Sequence, residues 1–158
     1  MRRISVALAA VAVALVPAAV PAAPLRLVRS HGILARLPEG WHAAPVRFTD
    51  CLDPVERLAL TTGRRAVVAG NRTAGDAAVI LVLENVSMDA SGVPPRRVFR
   101  LPRLGLMGGC CGMPIGRGFE LVFRDHGRRL YAFVYGTRRP LLEQALAIVN
   151  GLDVAPSR

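Results

Sequence analysis

Residues 117–136 read RGFELVFRDHGRRLYAFVYG, and this stretch decides the fold because two extended runs flank a turn. Phe119, Leu121 and Phe123 alternate with less apolar residues, and an apolar run ending at Tyr135 follows the turn. Alternation with a period of two is typical of a strand with one buried face, and Asp125-His126-Gly127 supplies the turn between the runs. The sequence therefore predicts an antiparallel β-hairpin.

A helix is predicted directly after this hairpin. Thr137 is the expected N-cap, and Pro140 is tolerated in a first helical turn. The apolar face consists of Leu141, Leu142, Ala145, Leu146 and Val149. Asn150-Gly151 supplies a stop signal, after which Leu152 and Val154 are expected to pack back on the sheet.

Upstream of the hairpin, short apolar runs alternate with turn residues. Residues 77–84 form the clearest buried strand, because they are continuously apolar before Glu84 and contain three β-branched residues. Further extended segments are expected at residues 31–37, 41–48, 55–62, 66–69 and 97–101, whereas residues 24–30 are expected to be unstructured. We predict one α+β domain, an antiparallel β-sheet with the C-terminal helix packed on one face.

Residues 88–117 interrupt this pattern with a long stretch rich in glycine and proline. Irregular stretches of that length are uncommon in small domains and are usually functional or mobile. Arg96, Arg97, Arg100, Arg103 and Arg117 lie in this stretch, which we therefore expect to carry a binding surface.

The N-terminus is typical of a secretory signal peptide. Met1-Arg2-Arg3 precedes an apolar run over residues 4–16, and small residues with two prolines follow. This run is too short for a membrane span. We expect residues 1–23 to be a cleaved signal, with cleavage after Ala22 or Ala23, and residues 24–158 to be one secreted domain without a transmembrane segment.

The chain has a formal net charge of +10, and it contains arginine but no lysine. Removal of residues 1–23 would take away Arg2 and Arg3 and leave a net charge of +8. Such a charge favours anionic partners, for which we expect an anionic cell-envelope polymer or, alternatively, another secreted protein. Nucleic acid is not an expected partner, because the arginines are scattered and no basic-aromatic motif is present.

Two segments resemble known small secreted proteins. The turn Leu37-Pro38-Glu39-Gly40-Trp41 is one of them. The other is Arg117 to Val154, which contains Gly127-Arg128-Arg129, Tyr135-Gly136 and Gly151-Leu152-Asp153-Val154. This pattern resembles uncharacterised small secreted proteins of high-GC bacteria and looks like the α/β/α sandwich of PsbP-type extrinsic photosystem proteins. The resemblance implies a non-enzymatic binding or assembly module and transfers no catalytic residues.

Cys51, Cys110 and Cys111 are the three cysteines of the chain. In an oxidising compartment two of them are expected to pair, Cys51 with Cys110 or with Cys111, which leaves one thiol. Such a bond closes a loop of about 60 residues and contributes about 4 kcal/mol in the chain-entropy model.

A soft-metal or thiol-redox site is the alternative use of the same residues. Met107, Cys110, Cys111 and Met113 place four sulfur atoms on one glycine-rich loop, and thiolate and thioether ligands select Cu(I). His42 or His126 would complete such a site if the fold brought either one close. The spacing matches no established metal motif, so we assign no metal or other cofactor.

Enzymatic chemistry has little support in the sequence. No Gly-x-Ser-x-Gly nucleophile elbow and no phosphate-binding glycine loop are present. Glu39, Asp50, Asp53 and Glu56 supply carboxylates, but four acids this close together are also typical of a solvated loop. We expect a secreted or envelope-associated binding protein that is not an enzyme.

Overall fold

A computed structural model describes residues 25–45, 47–63, 77–107 and 113–156. Within them two antiparallel sheets and one helix are formed. In chain order the elements are β1 (Arg26–Ser30), β2 (Ile33–Leu37), β3 (His42–Ala43), β4 (Val55–Thr61), β5 (Val79–Asn85), β6 (Gly105–Met107), β7 (Gly116–Asp125), β8 (Arg128–Tyr135), α1 (Arg139–Asn150) and β9 (Asp153–Val154). The large sheet has the order β3-β4-β5-β8-β7-β6, and the small sheet has the order β1-β2-β9.

The predicted hairpin is confirmed as β7 and β8 of the large sheet, in which β8 pairs with β5 and β7 pairs with β6. Phe123 pairs with Leu130, and Asp125 pairs with Arg128, which leaves a two-residue turn. His126 and Gly127 in that turn have φ angles of 46° and 80°. Two consecutive positive φ values match the twist of a tight hairpin, and glycine and short polar residues tolerate them best. The β1–β2 turn repeats this arrangement with His31 and Gly32.

The main core lies between one face of the large sheet and a layer made of α1 and the small sheet. Strand β5 contributes Ile80 and Val82, and α1 contributes Leu142, Ala145 and Val149, all fully buried. The opposite face of the large sheet carries a smaller cluster around Phe48, Leu81 and Tyr135. The predicted α+β class is therefore confirmed in outline. The described residues place no helix on this second face, where the α/β/α arrangement would require one.

Several boundaries differ from the sequence predictions. Residues 26–30 form strand β1 rather than an unstructured segment, because their backbone pairs with β2 although few of their side chains are buried. The run at 41–48 contains only the two-residue strand β3, and residues 97–101 form no strand. The helix N-cap is Arg138, without a side-chain cap, instead of Thr137. Residues 66–69 lie outside the described residues.

The C-terminal strand β9 pairs with β2 of the small sheet, so Leu152 and Val154 bury their side chains in the main core from that side. Trp41, which follows the turn at residues 38–40, is also buried there and donates a hydrogen bond from Nε1 to Gln144 Oε1 at 3.1 Å. Trp41, Leu152 and Val154 thus pack in the same core. No helix among the described residues is long and apolar enough to cross a membrane.

Residues 94–107, which we call the strap, close the open edge of the main core. Phe99, Leu101 and Leu104 pack against the core, and the Phe99 ring lies 5.4 Å from the Phe123 ring, measured between centroids. Asn150 at the end of α1 accepts a hydrogen bond from the Phe99 amide and donates one to the Phe99 carbonyl. Much of the stretch predicted as a loop is therefore packed, although residues 94–104 lack regular secondary structure and only β6 and the start of β7 are strands among its described residues.

Candidate functional site

The strap is anchored at its start by Arg96. Its guanidinium forms an ion pair with Asp125 at 2.8 Å and donates hydrogen bonds to the carbonyls of Val149 and Asn150. These carbonyls end helix α1, where the helix dipole favours a positive charge. Arg96 was one of the five arginines assigned to the binding surface, but its guanidinium is occupied by these structural contacts.

The other four strap-region arginines are exposed. Arg97, Arg100, Arg103 and Arg117 form no ion pair or side-chain hydrogen bond with any described residue. Arg117 belongs to β7 and lies opposite Leu106 in the register of the β6–β7 pair. Val98 and Leu106, which are 82% and 79% exposed, lie in the same surface segment. This surface combines unpaired positive charge with exposed apolar side chains.

The sulfur residues divide between described and undescribed parts of the chain. Cys51 is disulfide-bonded, whereas Cys110 and Cys111 lie outside the described residues, so the predicted pairing and the soft-metal hypothesis both stay predictions. Met113 is buried in the smaller cluster, and Met107 packs against that cluster. The described residues contain no group of three His, Cys, Asp or Glu side chains arranged to hold a metal ion.

The carboxylates near residue 50 hold backbone amides. Glu56 Oε2 accepts hydrogen bonds from the amides of Phe48 and Thr49 at 2.8 and 3.2 Å. Burial raises the Glu56 pKa in spite of these bonds, which act in the opposite direction. Asp53 accepts bonds from the amides of Val86 and Ser87 and from the Ser87 hydroxyl, and these interactions lower the Asp53 pKa. Both side chains thus fix the conformation of the loops around them.

A second basic region lies where both His-Gly turns meet the ends of β4 and β5. Arg29, His31, Arg57, Arg128 and Arg129 line a cavity of about 740 Å³, which we call the arginine cleft. No local sequence pattern reveals it, because its arginines come from three separate parts of the chain. One signal was present, namely the acidic Glu84 at the end of an otherwise apolar buried strand. A carboxylate in that position requires a cationic partner.

Glu84 joins two of the cleft arginines in a buried triad. Its Oε1 and Oε2 accept hydrogen bonds from Nε and a terminal nitrogen of Arg128 at 2.8 and 2.9 Å, so the pair is bidentate. Oε2 also accepts a bond from Arg57 Nε at 2.7 Å. The Arg128 side chain is 4% exposed and the Glu84 side chain 10%. One carboxylate therefore fixes two guanidinium groups at the floor of the cleft.

The Glu84 pKa reflects two opposing effects. Desolvation by burial acts to raise it, but hydrogen bonds and charge from Arg128, followed by those from Arg57, outweigh burial and hold the pKa below its usual value. Glu84 is therefore ionised at neutral pH. The triad keeps a net positive charge, because one carboxylate faces two guanidinium groups.

Arg129 and His31 complete the wall. The Arg129 guanidinium lies over the Tyr131 ring at 5.6 Å from its centroid, and Arg129 Nε is buried without a hydrogen-bond partner among the described residues. His31 Nδ1 lies 2.9 Å from Ser30 Oγ and 3.2 Å from the Arg57 carbonyl oxygen. A carbonyl oxygen only accepts hydrogen bonds, so a bond to the Arg57 carbonyl requires a proton on His31 Nδ1.

Comparison with known proteins adds no identity to these observations. No family model, no curated protein and no solved structure matches this chain.

Proposed function

We propose that the chain is a secreted, non-enzymatic binding protein that associates with an anionic polymer of the cell envelope. The observation that carries this proposal is the row of exposed, unpaired guanidinium groups of Arg97, Arg100, Arg103 and Arg117. A flexible polymer with repeated negative charges matches several separate cations on an extended surface better than a compact ligand does.

The packing of the strap supports this assignment. Phe99, Leu101 and Leu104 point into the core, so the intervening arginines are presented to solvent by a backbone that is anchored at Arg96 and Asn150. Holding the strap in place reduces the ordering entropy that binding would otherwise cost. The exposed Val98 and Leu106 add apolar contact area beside the charges.

The test measures affinity for a poly(glycerol phosphate) chain at low and at moderate salt. We expect the variant with Arg97, Arg100, Arg103 and Arg117 all replaced by Gln to bind at least about tenfold more weakly, since each arginine near an anionic surface contributes about 1 kcal/mol. Wild-type affinity is also expected to fall as salt screens the exposed charges.

The matched control removes the same net charge elsewhere. Arg26, Arg36, Arg138 and Arg139 are exposed on β1, on β2 and at the start of α1, and replacing all four by Gln is expected to leave the affinity within about threefold. Equal losses in both variants would show that overall charge, and not the strap, determines binding, and would contradict the proposal.

Export is tested by the intact mass of the protein recovered from outside the cytoplasm. A mature chain that begins at Ala23 or Pro24 supports secretion with cleavage of the signal. Recovery of the full 158-residue chain only inside the cell would contradict it.

A further inference from the structure

The arginine cleft is a cavity with a strong charge imbalance. Its lining residues include four arginines, Arg29, Arg57, Arg128 and Arg129, and one acidic residue, Glu84. Counting these five charged side chains alone, the cleft has an excess of three positive charges. Cations gathered in a concave, partly desolvated site repel each other, and an anion bound among them relieves that repulsion.

The nearest additional carboxylates are already engaged. Asp53 and Asp89 interact electrostatically with Arg129, but neither lines the cleft. Asp53 holds the loop at Val86 and Ser87, and Asp89 accepts bonds from the amide and hydroxyl of Ser91. Both carboxylates offset part of the Arg129 charge from outside the cleft, but neither contributes an oxygen to the cleft lining.

Two guanidinium groups are oriented before any ligand arrives. Glu84 engages Arg57 through Nε alone, so both terminal nitrogens of Arg57 lack a partner among the described residues. Arg128 is held by Nε and one terminal nitrogen, and its other terminal nitrogen makes only a long contact, 3.4 Å, to the Ala155 carbonyl. Fixing donors in advance lowers the entropy lost on binding.

The remaining donors of the cleft are also available. The Arg29 side chain forms no hydrogen bond or ion pair with a described residue, and the one side-chain hydrogen bond of Arg129 to a described residue is a weak one to Met88 Sδ at 3.7 Å. Arg129 Nε is buried and has no hydrogen-bond partner among the described residues, so it is not itself a donor that a ligand in the open cleft contacts.

We infer that the arginine cleft binds the phosphate group of a soluble phosphorylated compound. Guanidinium forks match the oxygen spacing of phosphate, and a group carrying two negative charges offsets an excess of three better than one carboxylate does. The cavity volume lies in the range of small-molecule sites and leaves room for an organic portion beside the phosphate.

This site is independent of the proposed polymer-binding surface. No strap residue lines the cleft, and the cleft arginines come from β1, β4 and β8. A protein that binds an envelope polymer through the strap would hold a small phosphorylated ligand at a separate place. Either activity can therefore fail without the other.

The experiment titrates the full mature chain with inorganic phosphate and with pyrophosphate in a calorimeter at constant ionic strength. We expect saturable binding of one ligand per chain, with pyrophosphate binding more tightly because it carries more charge. The double variant Arg29→Gln/Arg129→Gln is expected to bind at least tenfold more weakly. It leaves the Glu84 triad intact, and ligand-free melting temperatures check that it folds.

The matched control is Arg97→Gln/Arg100→Gln, which removes the same charge from the strap. Its phosphate affinity is expected to remain within twofold of wild type, while its polymer affinity falls. The inference is overturned if neither phosphate nor pyrophosphate binds saturably, or if both double variants lose equal phosphate affinity. Binding to vesicles with phosphate headgroups, without binding of soluble phosphate, would overturn it as well.

Discussion

The arginines of the cleft and those of the strap differ in how their side chains are held. In the cleft, Arg57 and Arg128 are fixed by one buried carboxylate, whereas Arg97 and Arg100 on the strap extend into solvent without a partner among the described residues. A fixed guanidinium group favours one compact ligand in one geometry, and an exposed one without a partner favours many weak contacts. The same residue type thus suits two different kinds of anion.

The largest effect is expected when the triad is broken. Glu84→Gln leaves Arg57 and Arg128 close together without a counter-charge, and we expect the free energy of unfolding to fall by about 3 kcal/mol at pH 7. Urea denaturation measures this loss.

The control for that experiment is Glu143→Gln. Glu143 pairs with Arg139 one turn away on α1, but the two side chains are 53% and 80% exposed. An exposed pair of this kind contributes less than about 0.5 kcal/mol. Similar losses for both variants would mean that the cleft carboxylate has no special organising role.

A smaller but clear effect is expected at the strap anchor. Arg96→Gln removes the ion pair with Asp125 and weakens the bonds to the end of α1, so we expect unfolding to become easier by about 2 kcal/mol. Arg97→Gln next to it is expected to change stability by less than about 0.5 kcal/mol. Equal effects at these neighbouring positions would contradict the distinction between anchoring and exposed arginines.

A fall in pH is expected to change the stability contributions of the two buried carboxylates, Glu84 and Glu56, in opposite directions. The Glu84 pKa is lowered, so its contribution to stability is present at neutral pH and is lost as pH falls from about 4.5 through the folded-state value. The Glu56 pKa is raised, so the folded state takes up a proton at a higher pH than the unfolded state does. The folded state therefore gains stability as the pH falls from the raised pKa toward about 4.5.

Unfolding free energies between pH 7 and pH 3 test these signs. As the pH falls, the free energy of unfolding of wild type is expected to lose its advantage over that of Glu84→Gln. The free energy of unfolding of wild type is expected to rise relative to that of Glu56→Gln. Parallel curves for the two variants would show that the carboxylates titrate in equivalent environments.

The sequence predicted the secondary-structure elements that are determined by residues close together in the chain. The β7–β8 hairpin follows from alternation around Asp125-His126-Gly127, and α1 follows from its apolar face and from Gly151. Strand β1 was missed because an edge strand with mostly exposed side chains carries no burial pattern. Its presence depends on backbone pairing with β2, which composition does not reveal.

The strap and the cleft depend on contacts between residues far apart in sequence. Arg96 reaches Asn150 across 54 positions, and Arg128 reaches Glu84 across 44. A local pattern shows that Glu84 needs a partner but does not indicate which of the arginines supplies it. The extended segment predicted at residues 97–101 was wrong, and the prolines and glycines around it did not predict that Phe99 and Leu101 would pack irregular backbone against the core.

The most direct test of this account follows the arginine Nε–H signals by NMR while pyrophosphate is added to the mature protein. If the cleft binds a phosphorylated ligand, the signals of Arg29, Arg57, Arg128 and Arg129 shift together and saturate at one ligand per chain, while those of Arg97 and Arg100 move only weakly and without saturation. Uniform, unsaturated shifts across both groups would contradict it, because they would show that the cleft arginines attract anions only as general surface charge.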